Sequence, residues 1–181
     1  LTRGGTILGS SNRGNPFAFP IRLPDGSEQI HDVSGKCLDT LARLDLEGLI
    51  VVGGDGTMGI GKRFAELGVR VVGIPKTIDN DLEATDYTVG FQTAVEVATE
   101  ALDRLHSTAE SHDRIIICEV MGRYAGWIAI SAGMAGGADV ILIPEIEYDI
   151  ERVVKTFHKR HGRGVFNLGY YLDLFYLRKK M

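Results

Sequence analysis

Four short apolar runs, each rich in β-branched residues, constrain the fold of this chain more than any other feature. They are "GLIVVGG" at 48–54, "VRVVGIP" at 69–75, "RIIICEV" at 114–120 and "ADVILIP" at 138–144. Runs of this length and composition are typical of buried strands in a parallel sheet. Helical patterns separate them, and this alternation indicates βαβ units. The sequence therefore predicts an α/β fold, with a parallel Rossmann-like sheet and helices on both of its faces.

The longest helical pattern begins at Phe91. Apolar residues recur there at intervals of three and four as far as Leu105, which marks one buried face of a helix. Shorter helical patterns lie at 35–45, 59–67, 124–135 and 150–161.

Composition and charge exclude several classes of protein. The chain has 181 residues, of which 44% are hydrophobic and 24% charged, as in ordinary soluble domains. A net charge of −4 without basic runs argues against binding to nucleic acid or to a membrane surface. No apolar stretch approaches the roughly 18 residues that a membrane span needs. Cys37 and Cys118 have no metal-binding spacing. We therefore expect a cytoplasmic enzyme.

Polar clusters follow all four apolar runs. "GGDGT" comes after the first run, "KTIDND" after the second, "MGR" after the third and "PEIE" after the fourth. In open α/β sheets, ligands bind at the carboxyl ends of the strands. The sequence therefore predicts that the four clusters line one binding rim.

The first cluster, "GGDGTMG" at 53–59, has the character of a phosphate-binding turn. Glycines let backbone amides approach a phosphate, and the helix that follows offers its N-terminus to an anion. Asp55 is suited to hold Mg²⁺, which prefers carboxylate and phosphate oxygens. The alternative is a glycine turn in which Asp55 only caps the helix.

The second cluster, "PKTIDND", carries the groups that phosphoryl transfer requires. Asp79 and Asp81 alternate, so in extended backbone both would point to one side, where one acts as a base and the other positions the acceptor. Thr77 can donate to a phosphate oxygen and Lys76 can supply positive charge. The alternative is an Asx-rich turn whose acids bond their own backbone amides.

Three arginines are further candidates. Arg123 follows the third run and can grip a phosphate, unless it pairs with Glu119 on the surface. Arg114 precedes the same run, so it can reach the rim only from a neighbouring subunit. Arg13 lies in the Gly/Ser loop 4–16, which either wraps a nucleotide phosphate or merely connects two elements.

Taken in order, "GGT…GS", "GGDGT", "PKTIDND", "TDYTVGFQTA", "EVMGRYAGW" and "AGGADVILIPE" resemble the phosphofructokinase family. The resemblance covers residues 4 to about 150. It implies transfer of a phosphoryl group to the 1-hydroxyl of fructose 6-phosphate with Mg²⁺, which gives fructose 1,6-bisphosphate in glycolysis. It also implies a homo-oligomer, most often a tetramer, otherwise a dimer.

The resemblance assigns roles to matched positions. Asp79 resembles the general base, and the residues around the transferred phosphate and acceptor hydroxyl are Thr77 and Asp81, beside Lys76. Asp55 resembles the Mg²⁺ ligand, and the nucleotide contacts correspond to Arg13, Gly54, Gly56 and Thr57. The sugar-phosphate site corresponds to Met121, Gly122 and Arg123, with Arg114 reaching across a subunit interface.

The phosphoryl donor depends on two positions. Family members that use pyrophosphate usually carry Asp where this chain has Gly56, and a side chain there would crowd and repel the α-phosphate of ATP. Lys76 is typical of the pyrophosphate users, although it also suits the terminal phosphate of ATP. The sequence thus favours ATP, and a pyrophosphate-dependent fructose-6-phosphate 1-phosphotransferase is the alternative.

The resemblance also suggests how the chain divides. Residues 1–89 correspond to part of a nucleotide- and Mg²⁺-binding domain that lacks its first strand and phosphate loop, and 90–165 to part of a sugar-phosphate domain. Residues 166–181 do not match the family, and a buried strand pair, a partner-binding segment and an aberrant terminus all remain open for them. We expect these 181 residues alone to be weakly active or inactive; a truncated nucleotide-binding chain or oligomer subunit is the third alternative.

Overall fold

The structure is a computed structural model that describes residues 5, 9, 14–112, 114–161 and 170–173. The chain divides into two compact units, Leu1–Ile74 and Pro75–Met181. The elements of the first unit are β1 (Phe19–Arg22), β2 (Glu28–His31), α1 (Ser34–Arg43), β3 (Leu49–Gly53) and α2 (Asp55–Glu66), followed by β4 (Val71–Thr77), which ends in the second unit. The second unit continues with β5 (Val89–Gly90), α3 (Phe91–His112), β6 (Ile115–Ile117), α4 (Trp127–Ala135), β7 (Val140–Ile141), α5 (Ile150–His161) and β8 (Tyr170–Asp173).

The predicted α/β class is confirmed. Each predicted run overlaps a strand, and each helical pattern overlaps one of the five described helices. Helix α2 begins at Asp55, earlier than the pattern at 59–67, so the end of the glycine turn is the first turn of a helix. Strand β4 runs on through Thr77, so Lys76 and Thr77 lie in the strand and not beyond it.

The β1–β2 hairpin was not predicted. Its strands pair antiparallel, with Phe19 opposite His31. The turn holds Gly26 at φ +83°, and Asp25 Oδ1 accepts hydrogen bonds from the amide and hydroxyl of Ser27. The Asp-Gly pair in "LPDGS" is the local signal that could have located this turn.

The first unit leaves one face of its sheet uncovered within the described residues. Val51 packs against Gly61 of α2, whose missing Cβ lets the helix approach the strand. On the other face Ile50 is 71% exposed and Val72 63% exposed. The expectation of fully buried strands therefore holds for one face only, because the described helices of this unit do not cover the other.

The core of the second unit lies between α3 and α4. Its buried residues are Phe91, Ala98, Leu102, Ala109, Ile128 and Ala132. The helical spacing of the α3 members is the apolar face that the sequence predicted. A second cluster packs Val153 and Phe157 of α5 against Leu142.

Strand β8 lies between β6 and β7 and is parallel to both. Ile116 is opposite Tyr171, and Val140 is opposite Leu172. Part of the atypical tail is thus a strand inside the second sheet, and the rest of 166–181 lies outside the described residues. No described helix combines the length and apolarity that crossing a membrane requires.

Candidate active site

The glycine turn of the first unit is open to solvent. Gly54 is the N-cap of α2, at φ −86° and ψ −164°, and no side chain caps this helix. The amides of Thr57 and Met58 both donate to the Gly54 carbonyl oxygen at 3.0 Å. Asp55 is therefore the first residue of the helix and not its cap, and its exposed carboxylate bonds to no other described residue.

This turn suits a metal–phosphate group better than a bare metal. The described residues contain no cluster of three or more His, Cys, Asp or Glu that could enclose an ion. Mg²⁺ commonly binds one or two carboxylates and completes its shell with phosphate oxygens and water. The single carboxylate of Asp55, beside the positive end of a helix, fits Mg²⁺ that is held together with phosphates.

The two glycines at positions 53 and 56 of the turn differ in whether the fold needs them. A Cβ on Gly53 would collide with the side chain of Thr57, so the strand end and the helix approach closely only because Gly53 has no side chain. A Cβ on Gly56 would meet nothing within 4 Å. The fold of this turn therefore requires glycine at position 53 but not at position 56.

In the second unit, Asp79 is held partly buried after the end of β4. Lys76 and Thr77 pair in parallel with Val89 and Gly90 of β5. The Asp79 amide donates to Thr77 Oγ1 at 3.3 Å. The carboxylate oxygen Oδ1 of Asp79 is buried and has no hydrogen-bond partner among the described residues. Burial, and then the negative charge of Asp81, raise the pKa of Asp79 above its ordinary value.

In this loop the side chain of Asn80 forms hydrogen bonds to backbone atoms of the described residues, and the side chains of Asp79 and Asp81 do not. Asn80 Oδ1 accepts from the Thr88 amide at 2.8 Å, and Asn80 Nδ2 donates to the Asp86 carbonyl oxygen at 3.4 Å. Asn80 has φ +53°, a conformation that asparagine tolerates well. The extended backbone assumed for Asp79 and Asp81 is therefore interrupted between them, although Asp81 remains close enough to influence the pKa of Asp79.

Neither Asn80 nor Thr88 was predicted from the sequence. Asn80 stood between two acids that attracted the functional interpretation, and Thr88 stood in a motif quoted only for its family resemblance. The tendency of asparagine to adopt positive φ in turns was the available signal for Asn80. Nothing local identified Thr88, since its partners lie eight and eleven residues away.

The sugar-phosphate candidates flank β6. Arg114 directly precedes the strand and Met121, Gly122 and Arg123 follow it, so Arg114 lies at the opposite end of β6, as predicted. Gly122 is buried at φ +127°, which favours glycine. The exposed Arg123 guanidinium lies 4.7 Å from the Tyr124 ring centre and makes no ion pair with Glu119 in the described part of the chain.

A hydrogen bond links the "PEIE" cluster after β7 to the segment that follows the "MGR" cluster. Glu145 Oε1 accepts a hydrogen bond of 2.8 Å from the amide of Gly126, the N-cap of α4. This bond fixes the loop after β7 against the loop that carries Arg123. A carboxylate at a helix N-terminus is also favoured by the helix dipole.

The candidates thus form separate groups. Gly54, Asp55, Gly56 and Thr57 are contiguous in the first unit, and all other described candidates belong to the second. There Lys76 and Thr77 end β4, and Asp79 and Asp81 lie close together in the loop that follows. Arg13 lies outside the described residues.

Comparison with known proteins agrees with these motifs. The family model described as Phosphofructokinase matches residues 1–167. The ATP-dependent 6-phosphofructokinase 2 of Clostridium perfringens is 54% identical over 164 residues, which are 91% of this chain and 45% of that protein. The pyrophosphate–fructose 6-phosphate 1-phosphotransferase of Streptomyces coelicolor is 56% identical over 154 residues, 84% of this chain and 42% of that protein.

A solved structure shares the fold. The pyrophosphate-dependent phosphofructokinase of Nitrosospira multiformis superposes with a TM-score of 0.70 at 22% identity, over 79% of this chain and 39% of that one. The chain belongs to the phosphofructokinase family. It spans a little under half the length of the two curated relatives, and residues 168–181, including β8, lie beyond the family match.

Proposed function

We propose that this chain is part of a cytoplasmic glycolytic kinase that transfers the terminal phosphoryl group of ATP to the 1-hydroxyl of fructose 6-phosphate. One observation carries the proposal: in a chain of this family, Asp79 follows β4 with a buried carboxylate oxygen that has no partner among the described residues. A general base needs such a free lone pair, because it must receive the proton of the attacking hydroxyl.

The loop after β4 supplies the chemistry. Asp79 takes the proton of the 1-hydroxyl while that oxygen forms a bond to the γ-phosphorus, and the bond from phosphorus to the bridging oxygen of ADP breaks. The raised pKa of Asp79 makes it a stronger base. Thr77 accepts the Asp79 amide through Oγ1, which leaves its own hydroxyl hydrogen to donate to a phosphate oxygen. Asp81 orients the acceptor, and Lys76 offsets the charge on the moving group.

The turn of the first unit binds the nucleotide. Gly54, Gly56 and Thr57 present backbone at the N-terminus of α2 to the phosphates, and Asp55 holds the metal. Bound Mg²⁺ supplies positive charge that offsets the charge of the transferred phosphoryl group. By the family resemblance, Arg13 is a further nucleotide contact.

The sugar phosphate is held by the segment after β6. Met121 and Gly122 shape the site, and Arg123 grips the phosphate through paired N–H groups. Arg114, at the opposite end of β6, serves a neighbouring copy, which requires a homotetramer or a dimer. On this proposal residues 1–89 belong to a nucleotide-binding domain and 90–165 to a sugar-phosphate domain.

A second candidate is transfer from pyrophosphate. It is favoured by relatives named as pyrophosphate-dependent enzymes, one of which is 56% identical to this chain, against 54% for an ATP-dependent one. We favour ATP because of Gly56. The space beside Gly56 is open, and an acidic side chain there would repel the α-phosphate of ATP.

The test uses the longest reading frame that contains this sequence, assayed with ATP and with pyrophosphate. ATP is expected to support turnover, and Asp79→Asn to reduce kcat about 10²- to 10⁴-fold, the usual contribution of a general base. Asp103→Asn, on the exposed side of α3, is the matched control. Unchanged turnover in Asp79→Asn would refute the assigned base, turnover with pyrophosphate alone would establish the second candidate, and turnover with neither would favour a non-catalytic chain.

A further inference from the structure

Side-chain hydrogen bonds join two stretches of the second unit that are separated in sequence. Asn80 accepts from the Thr88 amide at 2.8 Å and donates to the Asp86 carbonyl oxygen at 3.4 Å. The Thr88 hydroxyl donates to the Thr77 carbonyl oxygen at 2.7 Å. These three bonds, here named the Asn80–Thr88 clasp, tie the segment that contains Asp79 to the segment that leads into α3.

Burial makes the clasp costly to break. Thr88 is 3% exposed, and with Ser34 it is one of two buried polar residues in the described part of the chain. Burying a hydroxyl or an amide costs free energy unless it is hydrogen-bonded. The Thr88 carbonyl oxygen also accepts from the amide of Phe91, a buried core residue at the start of α3. The clasp therefore anchors the loop to the packed core of the second unit.

The clasp also fixes the backbone on both sides of Asp79. Thr77, whose carbonyl oxygen receives the Thr88 hydroxyl, uses its own Oγ1 to accept the Asp79 amide. On the other side Asn80 holds φ +53°, stabilised by its two side-chain bonds. The Oδ1 atom of Asp79 itself accepts no hydrogen bond from the described residues. Its orientation is set by its neighbours, and its carboxylate remains free to react.

We propose that Asn80 and Thr88 are positioning residues, which hold the Asp79 carboxylate partly buried and unpaired and aim it for proton transfer. The side chains of both residues bond to backbone atoms and not to the Asp79 carboxylate. The inference rests on the proposed function in its assignment of Asp79 as the base, but the geometry it describes can be tested separately.

Matched substitutions remove the side-chain bonds of the clasp one residue at a time. Thr88→Val keeps the shape of the side chain and removes the hydroxyl, whereas Thr88→Ser keeps the hydroxyl. Asn80→Gly keeps the positive φ and removes the two side-chain bonds. Thr99→Val is the control, because Thr99 Oγ1 donates to the Val95 carbonyl oxygen inside α3, in a bond of the same kind.

The first readout is the pKa of Asp79, followed through the NMR shift of its carboxyl carbon in the 181-residue chain. Thr88→Val and Asn80→Gly should admit water to Asp79 and bring this pKa back towards its ordinary value, since burial is the main cause of its rise. Thr88→Ser and Thr99→Val should leave it unchanged.

The second readout is turnover in the longest reading frame that contains this sequence. Thr88→Val and Asn80→Gly should lower kcat about 10- to 100-fold with the KM for fructose 6-phosphate nearly constant, as expected when a reacting group is displaced by about 1 Å. Thr88→Ser should restore most of the rate.

A purely structural clasp would behave differently. It would lower the melting temperature in both variants and leave the pKa of Asp79 and kcat unchanged, and that result would overturn the inference. If Asp79→Asn retains full turnover, the proposed function fails by itself, while the NMR titration still decides whether the clasp positions Asp79. Should Thr88→Val fail to fold, Asn80→Gly carries the same test.

Discussion

The glycine turn at 53–57 and the Asp79 loop at 77–90 hold their acids in opposite ways. Asp55 begins a helix, lies exposed and bonds to no described residue. Asp79 is partly buried, its pKa is raised, and hydrogen bonds surround it on both sides. The turn relies on the absence of side chains, whereas the loop relies on side chains that bond across the sequence.

This contrast matches two different chemical tasks. A group that shares a hydrated metal with phosphates needs access, and an exposed carboxylate at a helix N-terminus provides it. A group that accepts a proton needs a defined orientation and a raised pKa, and both require burial and neighbours. We therefore expect the turn to tolerate substitution at its open positions and the loop to tolerate little.

The two sheets differ as well. Strands β3 and β4 lie within the residues that match the family, but β8, the central strand of the second sheet, lies beyond that match. Deleting residues 168–181 should therefore expose the edges of β6 and β7 and unfold the second sheet, with protection lost at Ile116 and Val140 and kept at Val51. Amide hydrogen exchange measures this. Unchanged protection in β6 and β7 would show that β8 contributes nothing to the sheet.

The openness of position 56 can be tested through the phosphoryl donor. On the proposed function, Gly56→Asp should lower kcat/KM for ATP about 100-fold or more, because a carboxylate there would face the α-phosphate, and like charges brought together cost several kcal/mol. Folding should be unaffected, since a Cβ at this position meets no atom within 4 Å and an acid is favoured in the first turn of a helix. Parallel assays with ATP and pyrophosphate, with thermal melts of both proteins, measure the effect. If Gly56→Asp and the wild type had equal kcat/KM for ATP, Gly56 would not determine the choice of phosphoryl donor.

A pair of alanine substitutions tests the two structural reasons for glycine in the turn. Gly53→Ala should cost about 1–3 kcal/mol, as overpacking does, because the new methyl group collides with Thr57. Gly56→Ala should be neutral or stabilise by up to about 1 kcal/mol through helix propensity. Urea unfolding of the two variants gives both values, and equal effects would contradict the difference between these positions.

Sequence predicted the fold well where periodicity and composition act locally. The apolar face from Phe91 located α3, and the β-branched runs located β3, β4, β6 and β7. The hairpin escaped because its strands are short and mostly exposed, so they carry little hydrophobic pattern. β8 escaped because its place in the sheet depends on partners far away in the sequence.

The sequence indicated candidate site residues but not the hydrogen bonds between them. The identities of Asp55 and Asp79 indicated phosphate chemistry, whereas the hydrogen bonds between Asn80, Thr88 and Thr77 depend on how the loop folds back on itself. Such contacts link residues through tertiary structure and leave no local pattern.

The last prediction concerns how two Asp→Asn substitutions change the free energy of unfolding, with opposite signs in the two units. The pKa of Asp79 is raised in the folded chain, so the folded state binds the proton more tightly and stability falls as the pH rises from the ordinary aspartate pKa through the raised one. Asp79→Asn should therefore stabilise the chain at neutral pH, with a gain that fades at acid pH. In the first unit, the hydroxyl and then the amide of Ser34 lower the pKa of Asp32, so Asp32→Asn should destabilise at neutral pH and this loss should fade as the pH falls through the lowered pKa.

Urea unfolding of both variants across this pH range measures the two signs, with Asp103→Asn as the exposed control. On the proposed function, the partial burial that prepares Asp79 for catalysis also weakens the fold, so a gain in stability and a loss of turnover should appear together in Asp79→Asn. If Asp79→Asn loses stability at neutral pH instead, its carboxylate has a stabilising partner in the folded chain. The contrast between Asp79, which is partly buried and unbonded, and Asp32, which is exposed and bonded to Ser34, would then be wrong.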